Sequence, residues 1–207
     1  MRTVIAAFAA LVLSLNAHSA GVDYEETTTK ALAAGEPAAV VKALERQIYR
    51  GNLVAARQLG LMYRDGKGVV RDYARARKLL KTAAEAHEIR IAYKFGIAEA
   101  QYELAVMLRD GIGGKADASA AVSWFEQAAE QGNVQAQLVL ARMYIDGAGT
   151  KRNSERAFVW SSIAATLSAD AVQKEAERTR DLAQRQLEPG QLTRARNLIK
   201  NWKPRTS

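Results

Sequence analysis

The chain has 207 residues, of which 30 are Lys or Arg and 22 Asp or Glu, so it carries a formal net charge of +8. With 48% apolar residues and 3 Pro it has the composition of a folded chain, large enough for one domain or a short repeat array. The absence of Cys excludes disulfides, thiol catalysis, thiolate metal sites, iron–sulfur clusters and a lipid-modified cysteine.

The sequence has 40 Ala and only 7% aromatic residues, which favours closely packed helices over a β-sandwich. The two histidines are His18 and His87. His18 falls in a segment expected to be removed, and a single remaining His supports neither a multi-histidine metal site nor a two-His acid/base pair.

The first element is a leader. Arg2, an apolar run from Val4 to Leu15, and then Asn16-Ala17-His18-Ser19-Ala20 have the order of a secretory signal peptide. The run is shorter than the roughly 20 residues needed to span a bilayer. Cleavage after Ser19 would place the small Ala17 three residues before the cut, so residues 1–19 are expected to be lost. Residues 20–35, with Glu25, Glu26 and three consecutive threonines, are expected to form a loosely ordered leader.

Three similar segments follow. Leu59-Gly60-Leu61-Met62-Tyr63-Arg64-Asp65-Gly66 matches Leu104-Ala105-Val106-Met107-Leu108-Arg109-Asp110-Gly111, 45 residues later, and Leu140-Ala141-Arg142-Met143-Tyr144-Ile145-Asp146-Gly147, a further 36 on. Each unit continues with Asp72, Asp117 or Asn153, then Ala76, Ala121 or Ala157. Leu79, Trp124 or Trp160 and a pair of alanines complete it.

The spacing predicts two helices per unit. Ala56, Leu59, Gly60 and Tyr63 fall at i, i+3, i+4 and i+7 on the first, an apolar stripe in which the small residue admits a neighbouring helix. Gly66, Gly111 and Gly147 stand where that helix should stop in a left-handed residue. Asp72, Asp117 and Asn153 suit the N-cap of the second helix, which is expected to present Leu79, Trp124 or Trp160 and the alanine pairs to the core. None of these hairpins can bury its apolar face alone.

This pattern, with Ala-x-x-x-Leu-Gly-x-x-Tyr-x-x-Gly-x-Gly followed by Asp-x-x-x-Ala, Trp and Ala-Ala-Glu-x-Gly, resembles the Sel-one-like repeat family, a relative of the tetratricopeptide solenoids. The likeness covers roughly residues 36–167. It implies an all-α, right-handed solenoid of helix-turn-helix repeats acting as a non-enzymatic adaptor for another protein, commonly in bacterial envelopes, without catalytic residues or cofactors. On this reading residues 36–51 are a degenerate half-unit, and the repeats run about 52–95, 96–132 and 133–168. Residues 170–207 form C-terminal capping helices and a basic tail. Leu108 stands where the pattern has Tyr.

Several features carry candidate functions. Positions on the side of the first helices opposite the buried stripe hold Arg57, Leu61 and Arg64, then Tyr102, Val106 and Arg109, then Leu138, Arg142 and Ile145. Such a mixture of Arg, aromatic and aliphatic side chains suits a protein contact on a concave face, although a solvated helix face would look the same. The nine extra residues of the 45-residue spacing are best placed at His87 to Phe95. Tyr93 and Phe95 there are either partner contacts or part of a lengthened helix.

Met62, Met107 and Met143 recur at one repeat position and read as core filling. Lys174 to Arg205 holds nine basic residues against four acidic ones, which supplies an alternative reading as a binder of anionic envelope glycan or membrane surface. Gly111-Ile112-Gly113-Gly114 is explained by the repeat rather than by a phosphate loop, and no nucleic-acid module is present.

Overall fold

The computed structural model describes residues 35, 37–85 and 96–205. The leader and the segment from His87 to Phe95 lie outside them. The described residues form α1 (Pro37–Tyr49), α2 (Leu53–Asp65), α3 (Tyr73–Ala84), α4 (Ala98–Asp110), α5 (Ala118–Glu130), α6 (Val134–Asp146), α7 (Ser154–Leu167), α8 (Asp170–Gln184) and α9 (Pro189–Asn201). No strand occurs among them. Close packing divides the chain after Ala83 into two units.

The predicted punctuation is present. Gly66, Gly111 and Gly147 adopt φ of 68°, 69° and 76°, and their amides donate to the carbonyls of Met62, Met107 and Met143. The side chains of Asp72, Asp117 and Asn153 accept bonds of 2.9–3.0 Å from the backbone amides of Arg75, Ala120 and Arg156. In each turn the amide of that capping residue also donates back to the first helix, at Tyr63, Leu108 or Tyr144. Hairpin geometry is thus fixed locally, once per repeat. Asn52 and Asn133 cap the first helices of repeats one and three in the same way.

The first unit holds α1, α2 and nearly all of α3. Its core contains Val40, Ala43, Leu44, Ala56, Leu59, Met62, Ala76 and Leu80. A Cβ built on Gly60 would lie 3.0 Å from Leu80 Cγ and 3.3 Å from the Ala76 carbonyl oxygen, so the small residue does admit its neighbouring helix. The second unit stacks α4 to α9, and Ala105, Met107, Ala121, Phe125, Ala128, Leu140, Ala141, Met143 and Ala164 are buried in it.

One core position is displaced from expectation. Leu79, Trp124 and Trp160 are only half-buried, while the following residues, Leu80, Phe125 and Ser161, are fully enclosed. The buried alanines sit at i, i+7 and i+8, and the residue at i+4 shares their direction; one step back turns a side chain about 100° away. Ser161 meets the requirement of burial by donating to the Ala157 carbonyl at 2.6 Å.

The C-terminal helices α8 and α9 pack on the third repeat. Leu192, Ala195, Ile199 and Trp202 line the covered side of α9: Ala195 is buried and the others half-buried. Trp202 meets Trp160 edge to face, with ring centres 6.4 Å apart. The chain then returns to α5, where the Arg205 amide donates to the Glu130 carbonyl at 2.7 Å and its guanidinium pairs with the Glu130 carboxylate at 2.9 Å.

Candidate functional site

Each unit presents its own first-helix face. On α2, Arg57, Leu61 and Arg64 are half-buried beside the fully packed Ala56, Leu59 and Gly60. Arg57 has a buried Nε that finds no hydrogen-bond partner among the described residues. On α4, Tyr102 and Val106 are half-buried and Arg109 is exposed. The Tyr102 ring packs against Phe125 with centres 5.8 Å apart, so a rigid aromatic edge stands beside the cation.

The two arginines that end these helices are held alike. Arg64 donates to Asp65 through Nε at 2.7 Å and Nη2 at 3.3 Å, and Arg109 donates to Asp110 at 2.6 and 2.9 Å. These forks hold both carboxyls below the usual carboxylate range, and Asp110 raises Arg109 further above its ordinary value. A side-on fork uses Nε and one terminal nitrogen, so each guanidinium is held in place by the carboxylate next to it in sequence.

The third repeat breaks this pattern. Leu138 is 6% exposed, enclosed with Ala164, Ala165 and Ala176 beneath Val172 of α8, and Arg142 is paired with Glu175 of α8. Leu138 thus belongs to the capping contact, whereas Arg142 stays exposed while pairing with Glu175. Ile145 lines a hollow of about 200 Å³ with Arg178, Thr179 and Leu182 at the edge of α8. Tyr93 and Phe95 lie outside the described residues.

Two side-chain arrangements are not evident from hydrophobic periodicity. Gln101 and Gln137, fully buried at one repeat position, donate to the carbonyls of Ala84 (3.0 Å) and Ala129 (3.1 Å), at the end of the second helix before them. Gln101 Oε1 also accepts from Gln131 at 2.8 Å, whereas Gln137 Oε1 has no partner among the described residues.

The other arrangement links second helices. Arg75 pairs with Glu45 at 3.1 Å and lies 4.6 Å over the Tyr63 ring. Arg156 pairs with Glu126 at 2.8 Å and lies 5.5 Å over Tyr144. Tyr144 donates to Glu126, and burial, reinforced by that carboxylate, pushes its phenol up to about 12 against the opposing pull of Arg156. The equivalent positions in repeat two are Lys81, Leu108 and Ala120, which cannot form this tie.

On the same side of the second unit, Glu126, Arg156, Trp160, Leu198 and Trp202 line a cleft of about 620 Å³. Its acids are engaged: Glu155 with Arg194 at 3.2 Å, Glu126 with Arg156 and Glu130 with Arg205. Among the described residues no group of His, Asp and Glu could hold a metal ion, and no helix is long and apolar enough to cross a membrane.

The Sel1 repeat profile matches residues 53–87, 98–133 and 134–168, just over half of the chain. The chain belongs to the Sel1 repeat family. The three matches are the three hairpins described above, with the second beginning after the 45-residue spacing.

Among solved structures, the protective antigen c5321 of uropathogenic Escherichia coli, which displays an SLR fold, is similar at 26% identity and a TM-score of 0.63. The match covers 79% of this chain and 32% of that one. A Sel1 repeat protein from Oxalobacter formigenes is similar at 24% identity and a TM-score of 0.62, over 78% of this chain and 59% of that one. This chain therefore spans less than two thirds of either. No curated protein matches it. Sel1 repeat proteins are generally non-catalytic scaffolds for protein–protein interaction.

Proposed function

We propose that this Sel1 chain is exported, loses residues 1–19 and serves in the bacterial envelope as a non-enzymatic adaptor that holds a partner protein on its first-helix face. The supporting observation is the pair of equivalent clusters, Arg57, Leu61 and Arg64 on α2 and Tyr102, Val106 and Arg109 on α4. Each is left partly open where the adjoining stripe is buried. The arginines are oriented by their own aspartates before any partner arrives, which reduces the ordering cost of binding. Tyr93 and Phe95 of the insertion add specificity at one edge.

The test is affinity for a protein recovered from the envelope with the wild-type chain. Replacing Tyr102 and Arg109 together by Ala should weaken that association by about 2–4 kcal/mol, as expected when a few central residues dominate, with helicity unchanged. Unaltered affinity in a folded variant would place the contact elsewhere. Export is tested separately by N-terminal sequencing of the protein from the envelope fraction, which should begin near Ala20. An intact Met1 in the cytoplasm would refute it.

A further inference from the structure

The charge of this protein is unevenly divided. Residues 37–83 contain 11 Lys or Arg and three acids, a balance of +8, while residues 84–207 contain 17 and 15. This stretch alone thus carries a charge equal to that of the whole chain. Its three acids are already occupied: Glu45 with Arg75, Asp65 with Arg64 and Lys67, and Asp72 as an N-cap.

The Glu45–Arg75 bridge sets an exposed row on α1 beside one on α3. Lys42, Arg46 and Tyr49 lie within one helical turn of Glu45, and Arg71 and Lys78 within about one turn of Arg75; all five are exposed. Among the described residues none of Lys42, Arg46, Arg71 and Lys78 has an ion-pair partner. Tyr49 is 94% exposed and Val70, next to Arg71, is 89% exposed.

The repeat does not require three of these cations, although Arg152 stands in the second unit where the first has Arg71. The same bridge in the second unit, Glu126–Arg156, has Ser123, Gln127 and Val159 where the first has Lys42, Arg46 and Lys78. Three cations have therefore been added around a structural tie that functions without them.

We propose that the α1–α3 face docks on an anionic phospholipid surface. Unpaired Lys and Arg spread over two helices suit many headgroups at once, and an exposed tyrosine suits the interfacial layer, with its ring in the apolar part and its hydroxyl in water. This goes beyond the adaptor reading and uses other residues. It also assigns the membrane contact to the first unit rather than to the C-terminal helices, in which Arg180, Arg194 and Arg205 are ion-paired.

The experiment measures co-sedimentation of the full chain with vesicles of 30% phosphatidylglycerol in phosphatidylcholine. It reads the excess over pure phosphatidylcholine, so that any contribution of the apolar leader cancels. Replacing Lys42, Arg46, Arg71 and Lys78 together by Ala should lower that excess by ~30-fold or more. Exchanging Lys and Arg at the same four positions should preserve it, and 0.5 M salt should abolish it in the wild type. Replacing Arg185, Arg196, Lys200 and Lys203 by Ala should change it less than ~3-fold. Absence of any excess, an equal loss in the C-terminal variant, or tighter binding of polyglutamate than of vesicles at matched charge would overturn the proposal, the last in favour of an acidic protein.

Discussion

Gln101 and Gln137 should differ sharply in their contribution to stability, although their repeat positions and burial are the same. Replacing Gln101 by Met keeps an unbranched side chain of similar volume but deletes the bonds to the Ala84 carbonyl and from Gln131. At about 1 kcal/mol per neutral bond, plus part of the desolvation penalty of the groups left behind, the loss should be about 2–4 kcal/mol. Gln137→Met deletes one bond, to an Ala129 carbonyl that still accepts from Gly132. It also removes an enclosed oxygen that has no partner, a gain of about 1–3 kcal/mol. These changes offset each other, and the net effect should lie within about 1 kcal/mol of zero.

The reason lies one helix further along. Gln131, which donates to Gln101, is replaced 36 residues later by Leu167, which has no donor. Urea unfolding followed by far-UV circular dichroism separates the two variants: at a slope of about 2 kcal/mol/M the midpoints should differ by ~1 M. A Gln137→Met variant that loses as much as Gln101→Met, at equal slopes, would refute the assignment of these bonds.

Gly149→Ala should cost more than about 3 kcal/mol, because at φ +72° its Cβ would meet the Ala118 carbonyl oxygen at 2.3 Å; Gly132→Ala, at φ +90° with nothing nearer than 3.5 Å, should show only the left-handed penalty of about 1–2 kcal/mol. Equal thermal midpoints would contradict that close approach. The phenol of Tyr144 rises in the folded state to about 12 from an ordinary 10.0, so its share of stability is complete below pH 10 and is lost as pH rises towards 12. Tyr144→Phe should flatten that loss in a pH series of urea midpoints, and parallel curves for variant and wild type would refute it.

The turns were legible because each depends on one residue whose backbone or side-chain preference is local: a glycine at positive φ, an Asp or Asn that caps. Burial along the first helices followed from the 3.6-residue period. The second helices were harder to phase, since the size of Trp124 and Trp160 suggested a core position that the alanines actually place one residue later. Gln101 and Gln137 interrupt an apolar stripe with polar side chains, and only their recurrence 36 residues apart signals a structural role. The Arg75 and Arg156 ties require comparison of residues 81 apart, across a half-unit whose likeness is faint. Leu138 looked open because what covers it is α8, which lies outside the repeat.

That covering helix also shows in cis what a first-helix face can receive. Against α6, α8 brings Val172 and the small Ala176 onto Leu138 and sets Glu175 on Arg142, a helical visitor with one small contact and one carboxylate, supplied by the chain itself. At Leu138 the first-helix face of repeat three is thereby occupied by the chain's own helix. A guest that read the same chemistry at repeat three would meet α8 already in place on α6, and would have to displace a helix of the host itself.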